Sequence, residues 1–197
     1  MKNISFRVCV YAAASEKIDK KYIEEVERLG CELAKKDYGL VYGAGSTGLM
    51  GAIARGMSKG KGDILGVSPH FMHKIEALYD DCTKLVKTSS MAERKNIMEN
   101  EANAFIIAPG GIGTLDEFFQ ILTLRKLKRH SKEIILFNFE GFYDSVISLL
   151  REYKDKAFVS EDIFDYFQVG NTVEEVINIL DNIDVSPAVF KDVEIIE

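Results

Sequence analysis

A chain of 197 residues has the size of one domain. Its 47% hydrophobic residues can fill a core and its 28% charged residues solvate a surface, which argues against disorder. Asp and Glu number 31 against 25 Lys and Arg, a net charge of −6, so nucleic acid and anionic membranes are poor partners. Any anion must be held locally, by backbone amides and a few placed cations.

The run 6–11 reads as a strand and is too short for a signal sequence. No apolar stretch approaches the roughly 18 residues of a spanning helix. Cys9, Cys31 and Cys82 are odd in number and far apart. They read as reduced thiols of a cytoplasmic protein. Strands are predicted at 7–11, 39–42, 64–67, 84–87, 104–108 and 133–137. Helices are predicted at 16–36, 47–60, 91–100, 115–128, 143–153 and 173–179. Phe105-Ile106-Ile107-Ala108 is apolar throughout, without alternation, the mark of a strand covered on both faces. The expectation is a single α/β domain over 1–183, a Rossmann-like, doubly wound parallel sheet with helices on both faces. Ligands then bind at the carboxyl ends of the strands. Residues 184–197 read as an acidic C-terminal tail.

After the second strand comes Gly43-Ala44-Gly45-Ser46-Thr47-Gly48. Gly43 and Gly45 allow a ligand to approach the backbone, and the next helix offers unpaired amides. Ser46 and Thr47 add hydroxyl donors, so the turn is a candidate anion site. The lesser alternative is a tight turn with a Ser/Thr helix cap. The spacing also fits a dinucleotide fingerprint. That reading needs a carboxylate at the end of the next strand, which instead ends at Val67-Ser68-Pro69. Asp63 has the right sequence distance but sits at the strand's start, so an NAD-type oxidoreductase is disfavoured.

The second turn, Pro109-Gly110-Gly111-Ile112-Gly113-Thr114, is richer in glycine than a simple turn requires. Thr114 and Glu117 have the spacing of a capping box, in which Glu117 only caps its own helix. Alternatively, Glu117 stands one turn into a helix whose N-terminus faces the ligand. There it could hold sugar hydroxyls or stabilise positive charge on a sugar ring. Ser90 and Glu93 repeat the capping-box spacing. Arg94, three after Met91 and four before Met98, falls beside an apolar stripe and needs an anion, for which phosphate is a natural partner. Lys95 could pair with Glu99 on the helix surface. His70 and His73 are too loosely spaced to argue for a metal. Glu76 is better placed as a hydrogen-bond acceptor at the pocket rim. Cys82 has no base near it in sequence.

Together the Gly43–Gly51 stretch, the Met91…Arg94-Lys95 pair and Pro109-Gly110-Gly111-Ile112-Gly113-Thr114…Glu117 resemble the Lonely Guy family. Its members are cytokinin riboside 5′-monophosphate phosphoribohydrolases, often labelled lysine decarboxylase-like. The resemblance covers about residues 5–180. It implies a Rossmann-like fold, a homodimer, and neither metal nor organic cofactor. The implied reaction splits an adenosine-type nucleoside 5′-monophosphate into free base and ribose 5-phosphate. By motif, Arg94 and Glu117 are the catalytic pair. Lys95, Gly111, Ile112, Gly113, Thr114, Glu76 and Thr123 bind substrate, beside Gly110 of the same turn. The family's Cys-Gly-Ser-Ser-like first turn is here Ala12-Ala13-Ala14-Ser15, and its His after the Met of the Arg-Lys motif is here Ala92. These departures bear on base preference. No lysine lies in a recognisable pyridoxal phosphate motif. A nucleotide sensor or carrier without turnover is the alternative on the same fold.

Overall fold

The computed structural model describes residues 6–183; the tail 184–197 lies outside them, as do the side chains of His73 and Lys74. Seven strands form one sheet: Arg7–Tyr11 (β1), Gly39–Tyr42 (β2), Ile64–Pro69 (β3), Lys84–Thr88 (β4), Ala104–Ile107 (β5), Glu133–Phe137 (β6) and Gln168–Gly170 (β7). All neighbouring pairs are parallel, in the order β4-β3-β2-β1-β5-β6-β7. The helices are Lys20–Lys35 (α1), Gly48–Lys59 (α2), Met91–Glu101 (α3), Ile112–Lys126 (α4), Asp144–Asp155 (α5) and Val173–Asp181 (α6).

Alternation along β1 separates two cores. Val8 and Val10 face α1, α2 and α6, where Leu29, Ile53 and Val176 bury. Cys9 and Tyr11 face the other layer, with Met98 of α3, Phe118 of α4 and Leu150 of α5. Each such apolar side chain contributes roughly 1.5–3 kcal/mol on leaving water. Successive strands run outward from β1 in one direction through β4, then in the other from β5 to β7. The connections diverge between β1 and β5, which opens a crevice at the carboxyl edge.

Some elements differ from expectation. Helix α1 begins at Lys20, where the Asp19 carboxylate accepts from the Lys21 amide at 3.1 Å. Strand β7 has only three residues, two of them exposed, so no apolar run announces it. Strand β4 is an edge, and its exposed Lys84 and Lys87 discourage further pairing. Asp63 pairs with Arg7 at 3.3 Å at the amino edge of the sheet, far from where a ribose would sit.

Helices α1 and α2 meet through glycines. A Cβ on Gly56 would lie 2.0 Å from the Glu27 carbonyl oxygen, and one on Gly30 would lie 2.4 Å from that of Ile53. Gly56→Ala gains about 1 kcal/mol of helix propensity. The backbone clash costs about 1–3 kcal/mol and outweighs it. The expected result is a lower melting temperature; an unchanged or higher one would mean the helices part without cost.

Candidate active site

The β1–α1 connection decides what each glycine turn can do. The Ala13 amide donates to the Pro109 carbonyl at 3.2 Å. The Ala13 carbonyl accepts from the Leu49 and Met50 amides at 2.8 and 3.1 Å. Those two amides are at the N-terminus of α2, so that end is closed by the chain itself. The Thr47 hydroxyl donates to the Ala14 carbonyl at 2.8 Å, and the Ser46 hydroxyl to the Ala77 carbonyl at 3.0 Å. Ser46 and Thr47, expected as ligand donors, each give their hydroxyl proton to a loop carbonyl in this structure.

The glycines of this turn serve side chains instead. A Cβ on Gly43 would lie 2.1 Å from Arg94 Nη2, and one on Gly45 would lie 2.4 Å from Glu76 Oε1. Both glycines make room for charged groups entering the cleft. Gly48 adopts φ +57°, the left-handed turn into α2.

The second turn is different. Helix α4 starts at Ile112, with Gly111 as its N-cap and no side chain bonded to that end. Thr114 therefore lies inside the helix, and the capping-box reading of Thr114 and Glu117 does not hold. Capping groups go unused at this end, and the first amides of a helix have no partner within it. A Cβ on Gly111 or Gly113 would meet nothing within 4 Å, so both face open space. At α3 the Ser90 hydroxyl accepts from the Glu93 amide at 3.1 Å, while the Glu93 carboxylate takes the Ser89 amide at 2.7 Å. That box is real, with its return bond shifted by one residue.

A cleft of about 410 Å³ lies between these elements. Of the predicted residues, Gly43, Glu76, Arg94, Gly111, Gly113, Thr114 and Glu117 line it. Gly45 and Gly110 stand just behind it, against Glu76 and Thr114. Lys95 pairs with Asp116 of α4 at 3.0 Å rather than with Glu99, whose carboxylate bonds Gln120. Ile112 is 87% exposed at the rim, and Thr123 is exposed on α4 outside the lining.

Arg94 and Glu117 meet inside the cleft. Arg94 Nη1 donates to Glu117 Oε1 at 3.0 Å, and Arg94 Nε to the Val67 carbonyl at 3.2 Å. The anion expected for Arg94 is thus a protein carboxylate. Glu117 is 8% exposed, and burial pushes its carboxyl up to about 7, against the pull of Arg94 and Lys95. Burial also raises the carboxyl of half-buried Glu76, whose Oε1 has no hydrogen-bond partner among the described residues. An unpaired buried carboxylate oxygen is costly, and a ligand donor would satisfy it.

Sequence reasoning missed most of the apolar wall, which includes Met50, Met72, Met91 and Met98. Met91 and Met98 lie seven apart on α3, and that helical spacing was the available signal. Methionines make an adaptable lining for a flat ring or an alkyl group.

The fold and its cleft define a doubly wound α/β protein with a buried carboxylate–guanidinium pair at the switch point. The family described as possible lysine decarboxylase matches residues 50–180. Cytokinin riboside 5′-monophosphate phosphoribohydrolase LOG2 of Arabidopsis thaliana is 34% identical, over 78% of this chain and 72% of its own length. The LOG phosphoribohydrolase of Oryza sativa subsp. japonica is 35% identical, over 79% of this chain and 64% of its own. The chain belongs to this family, the Lonely Guy family. The molybdenum cofactor binding protein of Rippkaea orientalis shares the fold, with a TM-score of 0.69 at 20% identity, over 89% of this chain and 95% of that one.

Proposed function

We propose that this chain hydrolyses the N-glycosidic bond of an adenosine-type nucleoside 5′-monophosphate, AMP or an N6-alkylated AMP. The observation that carries this is Glu117, buried against Arg94 beside the uncapped N-terminus of α4. The 5′-phosphate sits on the amides of Gly111, Ile112 and Gly113, where the helix dipole favours an anion. The base lies among the methionines, with Glu76 accepting a hydrogen bond from it. Water adds to C1′ of the ribose, and the base leaves with a proton. Positive charge builds on the sugar as the bond breaks, and ionised Glu117 stabilises it. Arg94 keeps Glu117 ionised and oriented. Among the described residues no lysine lines the cleft, the amine that the decarboxylase label would call for.

Purified protein incubated with a panel of nucleoside monophosphates should release ribose 5-phosphate; release from none of them overturns the reading. The pH dependence follows from Glu117. Its carboxyl titrates near 7, so the carboxylate is lost as pH falls below that value. kcat/KM should rise from pH 5.5 and level off above about 7. A flat profile would assign the charge to another group. The same shift acts on stability with the opposite sign. A carboxyl raised above its unfolded value supports folding at low pH and loses that support as pH rises through about 7.

The reading includes a homodimer through the α4 face, where Ile112 and Leu127 are 87% and 62% exposed. Exposed large apolar side chains beside half-buried Leu115 and Phe119 call for cover. Sedimentation at micromolar concentration should show a dimer; a monomer removes this part. Among the described residues no helix is long and apolar enough to cross a membrane. The three free thiols, Cys9 buried among them, fit a cytoplasmic setting.

A further inference from the structure

A second chamber of about 330 Å³ adjoins the cleft on the far side of the phosphate turn. It shares Ala13, Ser15 and Gly111 with the cleft, so the two open onto the same turn. Its walls are Ile18, Tyr22, Leu49, Pro109 and Phe142. The Tyr22 and Phe142 rings stand at 72°, 6.0 Å apart, as one aromatic corner. Among the described residues no lysine or arginine lines it. The Asp19 carboxylate in this lining is engaged at the N-terminus of α1. The Ser15 hydroxyl accepts from the Lys17 amide at 3.3 Å. The chamber therefore suits an uncharged ring, with no cation among its described lining residues to hold a second phosphate. Its volume is at the lower end of small-molecule sites, enough for one ring.

We infer that this chamber is a subsite for an uncharged aromatic or alkyl group esterified to the 5′-phosphate, so that the protein accepts nucleoside 5′-phosphodiesters as well as monophosphates. The inference rests on reading the Gly110–Thr114 turn as the phosphate site. The phosphate on the α4 amides is the hinge between the two chambers. One carries the ribose and base toward Glu117, the other takes the ester group. The reaction is unchanged: water adds at C1′, the base leaves with a proton, and the ester bond stays intact. The products are free base and a ribose 5-phosphodiester that still carries the aromatic or alkyl group.

The test compares AMP, its methyl ester and its phenyl ester on the wild-type protein and on Phe142→Ala. Phe142 is 42% exposed and stands outside the reacting pair, so the variant should fold, and Phe142→Leu with a thermal melt guards that point. The wild type should release adenine from the phenyl ester with a KM about tenfold below that of the methyl ester, the gain expected from burying a ring. Phe142→Ala should erase most of that difference while AMP and the methyl ester stay within about twofold, by the same arithmetic. Equal KM values for the two esters on the wild type overturn the subsite. So does a Phe142→Ala loss shared equally by all three compounds. If AMP itself is not hydrolysed, the glycosidase reading fails separately. Calorimetric binding of the two esters then still decides the chamber: tighter phenyl ester binding supports it, equal binding overturns it.

Discussion

Glu117→Gln should yield a folded protein whose turnover has fallen by about 10²–10³, the usual cost of losing one electrostatic contact to a developing charge. Gln keeps the shape and an acceptor oxygen, so the bond from Arg94 Nη1 persists as a bond to a neutral carbonyl. The charge opposite the sugar is what disappears. Two effects on stability oppose each other. Removing a buried carboxylate relieves the desolvation that pushed it up to about 7. Leaving Arg94, only 12% exposed in its side chain, without a counter-charge costs about 1–3 kcal/mol. The melting temperature should shift by a few degrees at most. Turnover of the best monophosphate and thermal melting, measured together, separate chemistry from folding. A variant retaining more than about a tenth of the wild-type rate would mean that Glu117 does not face the reacting sugar.

Adenosine should be turned over at least roughly a hundredfold less efficiently than AMP, because hydrogen bonds to a charged group contribute about 1.5–3 kcal/mol each and several are lost. The structure narrows where those bonds come from. The N-terminus of α2 is closed by the Ala13 carbonyl, and the Ser46 and Thr47 hydroxyls are committed to backbone. Among the described residues the α4 turn is the open one of the two, with Gly111 and Gly113 bare toward the cleft. A bulky residue at Gly111 should therefore lower AMP efficiency toward that of adenosine, whereas Ser46→Ala should not. Comparable kcat/KM for nucleoside and nucleotide would remove the phosphate from the α4 turn.

The architecture was legible in the sequence because buried parallel strands advertise themselves. Phe105-Ile106-Ile107-Ala108 has no polar face, and the structure puts these residues at 0% exposure in the sheet interior. Glycine clusters at two strand exits marked the ligand edge of the sheet for a local reason as well: Gly43 and Gly45 leave room for Arg94 and Glu76, Gly48 turns at φ +57°, and Gly111 and Gly113 leave the backbone bare. Arg94 was legible as a charge beside an apolar stripe, and Glu117 as a carboxylate one turn into a helix facing the ligand. That the two bond each other was not. They are 23 positions apart, and only the packing of α3 beside α4 brings them to 3.0 Å. Helix start positions escaped as well. Thr114 and Glu117 obey a capping spacing, yet α4 begins two residues before Thr114, so one spacing had two readings and the backbone chose. The two glycine turns looked alike along the chain. The β1 loop, far from both in sequence, closes one with a carbonyl and leaves the other open. Local sequence determined where amides and glycines would gather, since backbone conformation is set within a few residues. Which amides stay free for a ligand depends on what folds against them, and that only the tertiary structure decided.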